Sequence, residues 1–364
     1  MIVADVIQHL QSFAPFSLQE DYDNSGLFCG SHEDEVTGIL ITLDITLPII
    51  DEAIANNCNL IVSHHPITLA GLKQISGKNT TEKIIIKAIK SSIAILSVHT
   101  NVDKVSNGVS STMAKKLNLS DCSILKPEVG LLKKLITFVP NKQVEQVRAA
   151  LFESGAGEIG NYNSCSYNTS GYGTFKALEN ANPFVGEIDA IHTEDEIKLE
   201  VVFQKWKQNQ IIEALHNSHP YETPAFDIIS LDNTLSDIGY GIIGKIISPM
   251  DELEFLNIVK EKFNCKIIKH TELSGKPIKS VAVCGGSGSF LIQSAIHAKA
   301  DIFITGDIKY HQFFEAENKL ILADIGHFES EQFTKELFFE LLTKKFPNFA
   351  IHLSKVNSNP IKYL

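Results

Sequence analysis

Short apolar runs alternate along this chain with stretches of helical periodicity. Gly38-Ile39-Leu40-Ile41-Thr42-Leu43-Asp44 is a β-branched run of the kind that forms a buried strand. Pro48 opens a helical pattern through Ile49, Ile50, Ala53 and Ile54, which Asn56-Asn57 closes. A second apolar run, Asn59 to Ser63, follows, and a helix over 80–91 leads to a third, Ile93 to Val98. This grammar predicts parallel strands covered by helices. Residues 1–10 read as an amphipathic helix; they lack the basic start and continuous apolar stretch of a signal peptide.

The last third repeats the pattern. A strand at 280–284 leads into Gly285-Gly286-Ser287-Gly288-Ser289, predicted as a tight loop, and a helix follows through Leu291, Ile292, Ala295 and Ile296. Next come a strand at 301–307, a helix at 310–318, a strand at 320–324, and a final helix from about Ser330 past Leu341. Between these α/β halves the character changes. A strand at 134–139 precedes a helix at 141–154; strands near 158–178 and 196–203 precede a helix near 207–217. That order predicts an α+β, ferredoxin-like insert. Residues 238–270 return to the core, with 240–246 as an edge strand and 251–263 as a helix. The expected organisation is therefore an α/β core from 1–127 and 232–364, with parallel and mixed sheets, interrupted by an insert over 128–231.

Length and charge sharpen this. At 364 residues the chain is long for one core, which fits two domains. The net charge of −11 argues against a basic face for nucleic acid or for a membrane surface. No apolar stretch is long enough to span a bilayer. The six cysteines are scattered without a C-x-x-C pair, which points to free thiols in a reducing cytoplasm.

Candidate chemistry gathers at strand ends, where ligands bind in open α/β sheets. The second run ends in His64-His65. The third leads into His99-Thr100-Asn101-Val102-Asp103. The strand at 320–324 leads into Gly326-His327, with Glu331 four residues on, one helical turn away. Imidazole and carboxylate are the usual ligands of zinc, iron, manganese or nickel where thiolates are absent. His64, His65, Asp103, His327 and Glu331 are thus candidate metal ligands. Five donors suit two open sites better than two closed ones, and open positions mark catalysis. His99 lines the same region as a candidate proton shuttle or a supporting histidine. Asp44 and Asp307 also end strands and could hold a ligand. The glycine stretch at 285–289 could cradle a phosphate, though it lacks the lysine of a phosphate-binding loop. His311 reads as a solvated helix start, Asp23-Asn24-Ser25-Gly26 as a turn, and His219-Pro220-Tyr221-Glu222 as packing within the insert.

Together, Tyr22-Asp23-Asn24-Ser25-Gly26-Leu27, Ile61-Val62-Ser63-His64-His65-Pro66, Ser97 to Asp103 and Gly326-His327-x-x-x-Glu331 resemble the NIF-three-like proteins, the GTP cyclohydrolase I type 2 homologs. Gly285 to Gly288 and Thr305-Gly306-Asp307 fit as well. The insert, with Gly173-Thr174-Phe175, Ala181-Asn182-Pro183 and His219 to Glu222, resembles a CutA/PII-like domain. The resemblance implies a centre of two divalent ions on His64, His65, Asp103, His327 and Glu331, with His99 nearby. It also implies a cytoplasmic homohexamer and a metal-dependent hydrolase of a nucleotide or related small molecule. A phosphoesterase, or a non-catalytic metal-binding scaffold, would use the same parts.

Overall fold

Four buried residues in a row, Ile39–Thr42, form the first parallel strand, and their side chains alternate between two helical layers. Ile39 and Ile41 pack with Val62 and Leu96 beneath Val3–Phe13 and Thr334–Lys345. Leu40, Ile61 and Ile95 pack on the other side with Ile49, Ile50, Ile84 and Ala88 from Leu47–Ala55 and Thr80–Lys90. Each such aliphatic side chain, fully removed from water, contributes about 1.5–3 kcal/mol. The computed structural model describes residues 1–364. The chain divides into two compact units: Met1–Pro127 with Ser236–Leu364, and Glu128–Leu235.

The first unit holds two sheets. In one, the strand order is Gly26–Cys29, Ala94–Ser97, Leu60–Ser63, Ile39–Thr42, Ile351–Leu353; all neighbours are parallel except the first pair. Thr42 pairs with Ser63, and Ser63 with Ser97, so three chain segments leave the sheet level with one another. The second sheet runs Lys269–His270, Ile321–Asp324, Ile302–Gly306, Ile278–Ser287, Gly239–Met250, Ser120–Pro127. Its parallel pairs join Ile302–Gly306 to Ile278–Ser287 and to Ile321–Asp324; the remaining pairs are antiparallel. No helix is long and apolar enough to cross a membrane.

Several local expectations are corrected. Gly239–Met250 pairs on both sides and is not an edge strand; its outer neighbour, Ser120–Pro127, is too polar to be legible as a strand. The stretch Gly285-Gly286-Ser287 continues a strand with an irregular register rather than forming a loop. Residues Tyr310–Ala316 wind as a 3₁₀-helix. The last helix starts earlier than predicted and comes in two pieces, His327–Glu331 and Thr334–Lys345.

The second unit is an antiparallel sheet in the order Tyr167–Lys176, Ile191–Gln204, Leu132–Pro140, Phe226–Leu231. Helices Val144–Glu153 and Gln208–Ser218 join Leu135, Val139, Leu199, Val201 and Phe203 in one buried layer. The β-α-β-β-α-β order makes it a ferredoxin-like α+β fold. The other sheet face lacks a helical cover.

One carboxylate fixes the start of Thr80–Lys90. The Asn79 side chain caps the amide of Glu82, while the Glu82 carboxylate accepts from Ser76 N, Ser76 Oγ and Lys78 N at 2.8–3.0 Å. The backbone donors of Ser76 and Lys78 lower its pKa from 4.5 to about 2. The folded value lies below the unfolded one, so the stabilisation is complete above about pH 4.5 and is lost as pH falls toward 2. We expect Glu82→Gln to lower the melting temperature at neutral pH. The gap to wild type should close as melting is followed down through that window; a gap constant with pH rejects the assignment.

Candidate metal centre

Three strand ends deliver the donors. Leu60–Ser63 leads straight into His64-His65, Ala94–Ser97 into the short helix Thr100–Lys104 bearing Asp103, and Ile321–Asp324 into His327–Glu331. The first two belong to one sheet and the third to the other. Ser63 Oγ and Ser97 Oγ lie 2.8 Å apart, and Ser63 Oγ also donates to His65 O at 2.9 Å, which ties the exits together. His64 and His65 diverge at the backbone, yet both ring Nε2 atoms converge on one group, the Glu331 carboxylate.

That carboxylate faces two donor sets. Its Oε1 lies 3.6 Å from His64 Nε2, which is 3.7 Å from Asp103 Oδ1. Its Oε2 lies 3.0 Å from both His65 Nε2 and His327 Nε2, which are 3.3 Å apart. In each of the sets His64–Asp103–Glu331, His65–His327–Glu331 and His64–His65–His99, the ligand atoms lie within 4.8 Å of one another. All five predicted ligands, and His99, therefore meet at one place.

The rings are held from behind through Nδ1. His64 Nδ1 donates to Val98 O at 3.0 Å, His65 Nδ1 to Asp44 at 2.7 Å, His327 Nδ1 to Asp307 at 2.7 Å and His99 Nδ1 to Asp23 at 2.8 Å. A carbonyl or an ionised carboxylate can only accept, so Nδ1 carries the proton and Nε2 is turned inward. Asp44 is itself fixed by Ser358 Oγ of the C-terminal segment at 2.5 Å. Asp307 adopts φ +57°, a left-handed conformation that brings its carboxylate to His327. Asp23 also accepts from Thr100 N and Thr100 Oγ1. The strand-end acids Asp44 and Asp307 thus orient histidines. Local sequence reads Asp23 only as part of a turn, because the histidine it holds lies 76 residues away.

Electrostatics favour a cation here. Burial pushes His64 down to about 4, against the pull of Glu331, so its ring is neutral. Its Nε2 lone pair then points at carboxylate oxygens too distant to bond. Both His64 Nε2 and Asp103 Oδ1 are buried without a hydrogen-bond partner. Such atoms are costly unless a cation lies between them. Burial opposes charge on His65 as well, but hydrogen bonds to Asp44 and Glu331 prevail and raise it to about 10. His327 rises to about 9 against burial, through Glu331 and Asp307. Burial would raise Glu331, but hydrogen bonds from the imidazoles of His327 and His65 hold it well below the usual range; burial and the Glu331 charge push Asp103 well above it. The donor set, all imidazole and carboxylate, fits a divalent metal.

A cavity of about 490 Å³ opens from the cluster; beyond His99 and Asp103 its walls include Tyr22, Lys126, Tyr240 and Phe290. The glycine stretch is not free to cradle a phosphate. Gly286 N donates to Ser330 Oγ and Gly288 N to Thr305 Oγ1, each at 2.9 Å. His311 is solvent-exposed, and His219 is buried in the insert against Phe138 O at 3.0 Å.

The sequence model of the family described as Duf34/NIF3 (NGG1p interacting factor 3) matches residues 1–360. A Staphylococcus epidermidis protein named GTP cyclohydrolase 1 type 2 homolog is 36% identical over 368 residues, covering 100% of both chains. A Bacillus subtilis protein of the same name is 36% identical, covering 99% of this chain and 98% of its own. Among solved structures, a Bacillus cereus protein related to NIF3 shares 32% identity with a TM-score of 0.82, covering 100% of this chain and 99% of its own.

Gly286 contributes no ligand atom, yet it sits against the centre at φ +60°, and a Cβ there would overlap Glu331 Oε1. We expect Gly286→Ala to displace that carboxylate and weaken divalent-cation binding about tenfold or more. Competition with a chromophoric chelator measures this; wild-type affinity in the variant would show that Glu331 has no fixed role in holding a cation.

Proposed function

This chain belongs to the Duf34/NIF3 family, and on that footing we propose that its cluster is a two-cation hydrolytic centre. His64, Asp103 and Glu331 Oε1 would hold one divalent ion, and His65, His327 and Glu331 Oε2 would hold the other. The observation that carries the reading is the neutral His64 Nε2, buried, unpartnered and aimed at two carboxylates. Three protein donors per ion would leave coordination positions open.

Divalent ions at such a site supply Lewis acidity to water and to an electrophilic substrate. The chain's own residues do the rest. His99, held by Asp23, takes the proton of the attacking water at Nε2 and returns it to the leaving group. Tyr22, Tyr240 and Phe290 offer aromatic surface to a planar substrate, and Lys126 a charge suited to a phosphate. The name carried by the relatives makes GTP the first substrate to try, with attack at C8 of guanine and release of formate. The proposal extends to a cytoplasmic homohexamer, which light scattering tests directly.

Elemental analysis should find about two divalent ions per chain in wild type and about one in His64→Ala; Glu331→Gln should lose most of both. Equal metal content in all three would refute the centre. With metal restored, GTP should yield formate, and His99→Ala should slow that release by about 10²–10⁴-fold. Intact metal binding with no turnover of GTP or of phosphate esters would leave a metal-binding scaffold.

A further inference from the structure

The uncovered face of the ferredoxin-like unit bears a second cavity, of about 660 Å³, within the size range of small-molecule sites. Its aromatic lining comes from Phe138, Tyr172, Phe175, Phe184 and Tyr221. The rings of Phe175 and Phe184 lie 6.0 and 6.4 Å from that of Tyr221. Part of the floor is bare, because Gly171 and Gly173 on the strand Tyr167–Lys176 stand opposite Glu196 and Glu194. A Cβ at Gly171 would meet nothing within 4 Å, while one at Gly173 would overlap the Glu196 carboxylate. Glycines within a strand mark places where something approaches the backbone closely.

Glu196 is the unusual group. It is only 8% exposed, lines the cavity, and accepts one neutral hydrogen bond, from Tyr221 Oη at 2.8 Å. Burial, with Glu196 beside it, pushes the Tyr221 phenol up, so that it keeps its proton for this bond. Neighbouring basic side chains are committed elsewhere. Lys198 pairs with Glu200 at 2.6 Å, and His192 with Glu194 at 2.8 Å. A second acid on the rim, Glu222, accepts the amide of Asn182 and so joins the segments that frame the opening. Glu196 thus presents to the cavity a largely enclosed carboxylate whose one side-chain donor is neutral. Aromatic faces around it attract positive charge.

We propose that this cavity binds a small organic cation, an amine or quaternary ammonium on an apolar body. The nitrogen meets Glu196, and the body lies among Phe175, Phe184 and Tyr221. This site is independent of the metal centre.

Calorimetric titration of the full-length protein at neutral pH tests this with phenethylamine and its uncharged analogue 2-phenylethanol. The amine should bind about tenfold tighter than the alcohol or better. Glu196→Gln should erase that preference. Phe184→Ala, at a side chain half exposed on the rim, should weaken the amine several-fold without disturbing the fold. Should Glu196→Gln fail to fold, the Phe184→Ala result decides. Equal binding of the two probes, a preference that survives Glu196→Gln, or no binding of either because another copy covers this face would each overturn the proposal.

Discussion

The arrangement of the larger unit turns on the two oxygens of Glu331. This carboxylate is buried and belongs to a helix that follows a strand of one sheet, while the imidazoles that meet its oxygens at His64 and His65 leave a strand of the other. A buried charge must be matched or it drives the structure apart. Here the match spans both sheets, so their mutual placement and the geometry of the centre are one constraint. Ser330, beside Glu331 in sequence, reinforces it by accepting the Gly286 amide and donating to His327 O at 2.7 Å. The strand that carries Gly286 and the helix that carries His327 and Glu331 are thereby set by the same few bonds.

Around that carboxylate the chain uses one device four times: an imidazole anchored at Nδ1 and turned inward at Nε2. The anchors differ in kind. Val98 is a backbone carbonyl and cannot change charge, and His64 is the ring that stays neutral. Asp44 and Asp307 are carboxylates that favour positive charge on the rings they hold, and Asp23 fixes His99 through the same kind of bond. A cation in place of the protons on His65 and His327 would therefore keep the local balance of charge, because Asp44 and Asp307 remain to offset it. Ser358 adds that the C-terminal segment, remote in sequence, closes on the back of Asp44. Orientation from behind of this sort makes donor geometry independent of flexible loops.

Much of this was legible in the sequence. Buried strands announce themselves by β-branched runs, and residues just past such strands cluster because parallel neighbours end level. That logic found His64, His65, His99 and Asp103, and helical spacing found His327 with Glu331. What failed did so for physical reasons. Gly285-Gly286-Ser287 has the composition of a loop, but glycine also serves a strand whose register slips and whose space is taken by a neighbouring side chain. Ser120–Pro127 is exposed along much of its length and carries no apolar alternation, so Gly239–Met250 read as an edge. Asp23 acts only through contacts across the fold, which no local pattern records.

The insert shows the same limit from the opposite side. Along Ile191–Gln204 the alternation is clean: Leu199, Val201 and Phe203 enter the helix-covered layer, and Glu194, Glu196, Lys198 and Glu200 fall on the other face. By composition that second face is solvated. Yet Glu196 is buried there, because aromatic residues from the adjoining strand and from the segments around Phe184 and Tyr221 fold over it. Alternation tells which face a residue occupies, not whether water reaches it. Glu196 lies beneath aromatic rings and beside a bare glycine floor, with the Tyr221 phenol as its one side-chain donor. The sheet face that looks plainest in sequence therefore carries an enclosed acid in the folded chain.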